Sequence, residues 1–142
     1  MKRMVVCAAM SLMLITPAGF SDTDSVVKAL EQGNHARAFE LVMPLANQGD
    51  AHAQYLLGTM YMGGLGVPRD WQQAADWFRR ATSQEHEYAR LMLAVTLDGL
   101  GETQEALLHY RWAAEKGDEM AQTRLGQMYE SGVLDVRKCG KD

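Results

Sequence analysis

The chain has 142 residues, of which 47% are hydrophobic and 23% are charged, and this composition predicts one small folded domain rather than a disordered tail. Its net charge is −4 and it contains no run of Lys and Arg, which argues against nucleic acid as a partner. Composition alone leaves open whether the chain is an enzyme, a binding module or a structural protein.

The N-terminal residues have the layout of a secretory signal peptide. Lys2 and Arg3 form a short basic region, and the uncharged run Met4–Thr16 after them is 13 residues long. That run is shorter than the ~20 residues that span a membrane, although an uncleaved anchor or a buried first helix remains an alternative. We expect residues 1–21 to be the signal peptide, with cleavage after Ala18 as the other choice. Cleavage would change the net charge from −4 to −6 and would deliver the protein to the bacterial periplasm or beyond.

The two cysteines fall in different parts of the chain. Cys7 lies inside the apolar run of the signal peptide and lacks the small residues that precede a lipidated cysteine. The mature chain therefore keeps only Cys139, so an intramolecular disulfide is excluded. Cys139 is either free or joins two chains as a dimer.

Two stretches of the sequence, 68 residues apart, are nearly the same. GDAHAQYLLGTMY (49–61) and GDEMAQTRLGQMY (117–129) share eight of thirteen residues, which indicates an internal repeat. An intermediate copy lies between them, because an offset of 36 from Ala53 and Leu57 leads to Ala89 and Leu93. Apolar residues at i, i+4 and i+8 predict one buried helix face, so this stretch is the first helix of each unit.

A second amphipathic helix also recurs in each unit. Its copies, 35–50, 72–86 and 104–118, align on Ala38, Ala74 and Ala106, followed by Val42, Phe78 and Tyr110 and then by Leu45, Ala81 and Ala113. Gly49–Asp50 and Gly117–Asp118 predict the end of one helix and the N-cap of the next. Asp70 with Gln73 is a capping-box arrangement.

The repeated unit is a helix hairpin, which buries its apolar face only by stacking on its neighbours. We therefore predict an all-α fold, an α-solenoid of stacked antiparallel helix hairpins. The repeat domain 22–142 divides into four parts: a hairpin at 22–48, repeats at 50–84 and 86–116, and a partial repeat at 118–142. The 86–116 unit has lost four residues between its helices, and the last unit has no second helix in these residues.

The 50–84 unit resembles the Sel-1-like repeat, a branch of the tetratricopeptide-like repeats. That family has a Leu-Gly…Tyr first helix, a Gly-x-Gly-Val-x-x-Asp turn, and a second helix with Ala, Trp-aromatic and Ala positions. The matching residues are Leu57, Gly58, Tyr61, Gly64, Gly66, Val67, Asp70, Ala74, Trp77, Phe78 and Ala81. The resemblance covers nearly all of the mature chain and is specific for the fold, but it says little about function.

Motifs that carry chemistry are weak in this sequence. Ser25 and Lys28 match the Ser-x-x-Lys pattern of penicillin-recognising enzymes, but no Ser-Asp-Asn or Lys-Thr-Gly follows, so we place Ser25 in the first turn of the first helix. The histidines (His35, His52, His86 and His109) include no i, i+4 pair, and Glu85-His86-Glu87 is interpreted as an exposed turn. Gly63–Gly66 lacks the context of a phosphate loop and is interpreted as a turn. We expect no catalytic residue, no metal and no cofactor.

The resemblance implies that the first helices line a concave, partner-binding face. Relative to Leu57 and Gly58, the predicted positions are His52, Tyr55, Thr59 and Met62, then Tyr88, Leu91, Val95 and Asp98, and finally Met120, Thr123, Gln127 and Glu130. Tyr and Met favour protein contacts, although some of these residues are expected only to pack helix on helix.

We expect an exported module that binds a protein or peptide on this face, as an adaptor or scaffold in the bacterial envelope. The resemblance supports a second role equally, because several exported relatives are immunity proteins that neutralise type VI secretion toxins such as phospholipases. A hydrolase acting on peptidoglycan or a β-lactam is the third alternative.

Overall fold

The structure is a computed structural model and describes residues 21–132. In that range the chain forms α-helices joined by short connections and contains no β-strand. The helices are α1 (Ser21–Glu31), α2 (His35–Asn47), α3 (Ala51–Gly63), α4 (Trp71–Ser83), α5 (Glu87–Gly99), α6 (Thr103–Glu115) and α7 (Glu119–Glu130). The all-α class predicted from helical periodicity is confirmed.

Side-chain caps fix where several of these helices begin. The carboxylates of Asp50, Asp70 and Asp118 each accept a hydrogen bond from the backbone N–H three residues later, over 2.7, 3.0 and 2.8 Å. Gly49 and Gly117, just before two of these caps, have φ angles of 98° and 92°, which glycine adopts without strain. The predicted pairing of a glycine stop with an aspartate start is therefore confirmed at both places.

Each helix packs mainly on the helix before it and the helix after it, as stacked antiparallel hairpins do. The first helices of the hairpins are α1, α3, α5 and α7, and the second helices are α2, α4 and α6; α3 also contacts α5 directly. The buried apolar side chains run the length of the stack, and Leu57, Phe78 and Leu93 are among the largest of them. Burying one such side chain stabilises the fold by about 1.5–3 kcal/mol.

The connections between helices differ in length. Residues 64–70 join α3 to α4, and both Gly64 (φ 68°) and Gly66 (φ 73°) have left-handed backbone, as the turn interpretation requires. A Cβ on Gly66 would lie 2.5 Å from the carbonyl oxygen of His35, so this turn approaches the start of α2 too closely for any side chain. Residues 100–102 alone join α5 to α6, which confirms the predicted loss of four residues.

Some sequence predictions fall outside the described residues. These are the signal peptide before Ser21, its cleavage, and the tail that contains Cys139. Ser25 lies on the first described helix, α1. No helix within 21–132 has the length and apolar character needed to cross a membrane.

Candidate partner-binding face

The predicted partner-binding residues all lie on the first helices α3, α5 and α7, and none of them is fully buried. The exposed members are His52, Tyr88, Met120, Thr123, Gln127 and Glu130. The half-buried members are Tyr55, Thr59, Met62, Leu91, Val95 and Asp98. We call this set of positions the first-helix face.

Part of the first-helix face is occupied by contacts between neighbouring helices. Asp98 accepts hydrogen bonds from Arg124 Nε at 2.6 Å and Nη2 at 3.0 Å, an ion pair that joins α5 to α7. The Thr96 hydroxyl lies 3.7 Å from the Met62 sulfur, which joins α5 to α3. Asp98 and Met62 therefore hold helices together rather than standing free for a partner. Asp98 also acts on a second side chain: burial, together with the nearby charge of Asp98, raises the pKa of Tyr110 to about 12.

An aromatic group stands at the N-terminal ends of α3 and α5. His86 stacks on Tyr55 with ring centroids 4.9 Å apart and on His52 with centroids 5.5 Å apart. Tyr88 meets His86 edge-on at 6.4 Å. Tyr88 is 72% exposed, the highest value among the exposed large hydrophobic residues of the described chain. These four residues form the histidine–tyrosine cluster.

The hydrogen bonds of the cluster fix which ring nitrogens carry protons. His86 Nδ1 accepts from the backbone N–H of Ala89 at 3.2 Å and so caps α5. A neutral imidazole that accepts at Nδ1 carries its proton on Nε2, and this N–H donates to His52 Nδ1 at 3.3 Å. The pKa of His86 is lowered, first by burial and then by the charge that His52 would carry. The lowered pKa favours the neutral ring of His86, and with it stacking rather than charge as the mode of contact.

A surface cleft continues the cluster towards α6. It has a volume of about 300 Å³ and is lined by Tyr88 and Leu91 of α5, by Trp112 of α6, and by Asp118 at the start of α7. The guanidinium of Arg90 lies 4.3 Å from the Trp112 ring centroid, and so holds the indole as one wall of the cleft. A cleft with an exposed tyrosine at its edge and an indole as one wall can accept an apolar or aromatic side chain of a partner.

Sequence reasoning missed three residues that shape this region. Glu85 lies in the turn between α4 and α5, and Glu85 and Glu87 are exposed, as interpreted. His86 itself is half-buried and caps α5, at the position where the other first helices have the capping residues Asp50 and Asp118. Trp112 and Arg124 act through partners on other helices, which no local sequence pattern reveals.

The side chains of the cluster and the cleft offer stacking and hydrogen bonding to a partner. Within residues 21–132, no three or more His, Cys, Asp or Glu side chains converge as a metal site requires. Ser25 and Lys28 both lie on α1, which contributes nothing to the cluster or to the cleft.

Comparison with known families identifies one repeat. The sequence model of the Sel1 repeat matches residues 51–86, 88–118 and 119–138, which together are more than half of the chain. Among curated proteins, no sequence matches. The matched segments begin at α3, α5 and α7, the helices that carry the first-helix face.

Two solved structures are similar to this one. A Sel1 repeat protein from Oxalobacter formigenes superposes with a TM-score of 0.66 at 25% identity, over 76% of this chain and 46% of the other. The second is c5321, a protective antigen present in uropathogenic Escherichia coli strains and displaying an SLR fold. It superposes with a TM-score of 0.56 at 38% identity, over 66% of this chain and 21% of the other. The chain thus spans less than half the length of either protein.

Proposed function

Because the chain belongs to the Sel1 repeat family, whose fold generally mediates contacts between proteins, we propose that it is an interaction module of the bacterial envelope, an adaptor or scaffold that binds a partner on the first-helix face. The observation that carries the proposal is the histidine–tyrosine cluster with its cleft. Tyr88 is 72% exposed on a helix whose opposite side is fully buried, at Leu93 and Leu97 for example.

The histidine–tyrosine cluster is held in place by the core before any partner binds. Tyr55 stacks on His86 and contacts the buried Phe78 ring at a centroid distance of 6.1 Å, so the base of the cluster is anchored in the core. A preformed aromatic surface loses little conformational entropy on binding, and Tyr and Trp are the residues most often found at the energetic centre of interfaces. The exposed ring of Tyr88 and the indole of Trp112 are the contacts that a partner side chain would cover.

Export to the periplasm is part of the proposal. Its support is the basic pair Lys2–Arg3 followed by the 13-residue apolar run, the order of a secretory signal. Expression of the full chain in a Gram-negative host, followed by fractionation and mass measurement, tests it directly. The expected product is periplasmic and begins at Asp22, whereas an intact cytoplasmic chain would contradict export.

The binding proposal is tested by capture from a periplasmic extract, with the mature chain 22–142 as bait. Tyr88→Ala is compared with Leu108→Ala, a matched control because Leu108 is 62% exposed on α6, outside the first-helix face. We expect the wild-type bait to capture one partner at stoichiometric yield. The captured amount should fall about tenfold with Tyr88→Ala and should stay unchanged with Leu108→Ala. Equal capture by both variants would show that the first-helix face is not the binding surface.

The captured protein also decides between roles. An envelope component would make the chain an adaptor, whereas a secreted lipolytic toxin inactivated by the mature chain would make it an immunity protein. The acidic charge expected after cleavage, −6, would speed encounter with a basic partner in either role.

A further inference from the structure

A second pocket adjoins the cleft of the first-helix face. It has a volume of about 330 Å³ and is lined by Glu85, Glu87, Arg90, Trp112 and Lys116. Glu87, Trp112 and Lys116 line both the pocket and the cleft, so the two lie side by side and share a wall. We call the second one the charged pocket, because every lining residue except the tryptophan carries a charge.

The two cations of the charged pocket contact the indole rather than the carboxylates. The guanidinium of Arg90 lies 4.3 Å from the centroid of the Trp112 ring, and the ammonium of Lys116 lies 5.7 Å from it. Both distances are typical of cation–π contacts. Within residues 21–132, no ion pair joins either cation to a carboxylate.

The carboxylates of Glu85 and Glu87 are therefore available to another cation. Both residues are exposed, and no ion pair within residues 21–132 includes either of them. Asp118 lines the cleft, so three carboxylates outnumber the two cations across the pocket and the cleft. The whole chain is also acidic, with a net charge of −4. Opposite charge steers and orients a partner, so this region favours a basic segment.

Glu85 stands at a position where the backbone favours glycine. Before α5 the residue that precedes the N-cap is Glu85, with a φ of 63°, and no other non-glycine residue of 21–132 has a positive φ. The same position before α2, α3, α6 and α7 is occupied by Gly33, Gly49, Gly101 and Gly117, all with positive φ. A side chain in left-handed backbone costs stability, so glycine would serve this turn better. The carboxylate at the rim of the pocket thus indicates a role other than forming the turn.

A guanidinium suits the charged pocket better than an ammonium does. It is planar, binds a carboxylate through two parallel N–H donors, and stacks its flat face on aromatic rings. Glu85 and Glu87 lie on either side of the residue that caps α5, and both line the same pocket as the Trp112 indole. The pocket therefore combines the two kinds of group that bind an arginine side chain.

The adjoining cleft adds a second requirement. Tyr88, Leu91 and Trp112 line it and can accept an aromatic side chain. In an extended segment, side chains at i and i+2 point to the same side and are about 7 Å apart. A pocket and a cleft that share a wall match this spacing. A partner segment with an arginine and an aromatic residue at i and i+2 would fill both.

The described residues that border the undescribed ones lie away from the charged pocket. Gly132 follows the C-terminal end of α7, about 18 Å along that helix from its N-cap. Ser21 begins α1, which packs on α2, whereas the pocket is formed by α5, α6 and the turn before α5. Charge therefore favours a separate basic segment, and Arg137 and Lys138 are basic residues of the same chain that a test must distinguish from it.

We propose that the charged pocket binds an arginine side chain of the partner, while the cleft takes an aromatic side chain two residues away in the same extended segment. Glu85 and Glu87 bind the guanidinium. The Trp112 indole, which Arg90 and Lys116 hold in place, separates the guanidinium from the aromatic ring. The proposal rests on the interaction role proposed for the first-helix face and adds the chemistry that the partner carries there.

The test titrates short peptides into the isotope-labelled mature chain 22–142, with backbone amide NMR shifts as the readout. The probes are acetyl-Trp-Gly-Arg-amide and acetyl-Arg-Gly-Trp-amide, which present the two side chains in either chain direction. We expect saturable binding of one of them, with shifts confined to residues 85–91 and 112–118. Replacing arginine with glutamate in that peptide should weaken binding at least about tenfold, because the carboxylates then repel it.

Glu85 offers two informative substitutions. Glu85→Gln keeps the shape of the side chain and should weaken peptide binding about fivefold, while Glu115→Gln, an exposed glutamate of α6 outside the pocket, should leave it unchanged. Glu85→Gly should weaken binding equally and yet unfold at a higher urea concentration than the wild type, because it relieves the left-handed backbone. Opposite effects on binding and stability rule out misfolding as the cause of the lost binding.

Four results would overturn the proposal. They are no binding of either peptide, equal binding of the arginine and glutamate peptides, an unchanged affinity in Glu85→Gln, and tighter binding when Arg137 and Lys138 are both replaced by Ala. The last would identify the chain's own basic residues as the occupant. Capture of a periplasmic partner that depends on Tyr88 but not on Glu85 would overturn the arginine pocket and leave the proposed function intact.

Discussion

The imidazole of His86 couples the cap of α5 to pH. His86 accepts the Ala89 N–H only while its Nδ1 is unprotonated, and burial followed by the charge of His52 lowers its pKa. His52, Tyr55 and Tyr88 face the ring, and Asp50 opposes the shift. As the pH falls, the unfolded chain therefore binds a proton at His86 at a higher pH than the folded chain does. The contribution of His86 to stability is present above about pH 6.5 and is lost as the pH falls below that value.

Replacing His86 with Asn should remove part of this pH dependence, because Asn keeps the N-cap but does not titrate. Urea unfolding at pH 7.5 and 5.5 measures it: the variant should lose less stability than the wild type between the two values. Burial also lowers the pKa of His109, so His109→Gln should remove a further part. If His86→Asn lost as much stability as the wild type, the ring would not be titrating as the structure implies.

Two equivalent glycines should respond to the same substitution in opposite ways. Gly58→Ala places a methyl group 2.7 Å from the Phe78 ring and should destabilise the fold by about 1–3 kcal/mol. Gly126→Ala meets open space within the described structure and should stabilise it by about 0.5–1 kcal/mol, because alanine favours the helix interior. Urea unfolding of both variants gives the comparison, and a loss of stability in Gly126→Ala would show that this side of α7 is already covered.

At the scale of the helix, α7 is anchored by one strong polar contact. Asp98 is 16% exposed at its side chain and binds Arg124 through both carboxylate oxygens. We predict a coupling energy of about 1 kcal/mol between them from a double-mutant cycle of Asp98→Asn and Arg124→Gln, read by urea unfolding. A coupling near zero would mean that apolar packing alone docks α7 on α5.

Helix positions could be predicted from the sequence more completely than the site could. Asp50, Asp70 and Asp118 predict where helices begin, because an N-cap bonds to a backbone N–H only three residues later. The internal repeat predicts the order of the hairpins. The stacking of His86 could not be predicted because its neighbours in space, His52 and Tyr55, are more than 30 residues away in sequence. Asp98 was placed on the binding face for the same reason, since its partner Arg124 lies on another helix.

At the scale of the whole molecule, residues 21–132 form a stack of helix hairpins that offers the first-helix face to a partner. This face presents Tyr88 beside the cleft walled by Trp112. Tyr55, which contacts the buried Phe78 ring, anchors the face in the core of the stack.

The central claim, that the first-helix face binds a protein partner, is tested most directly by photo-cross-linking in cells. A photoreactive phenylalanine analogue is placed at Tyr88 or at Leu108, both of which are exposed hydrophobic positions. The account predicts that light produces one discrete adduct from position 88 and none from position 108. An adduct from position 108 alone, or equal adducts from both, would contradict it.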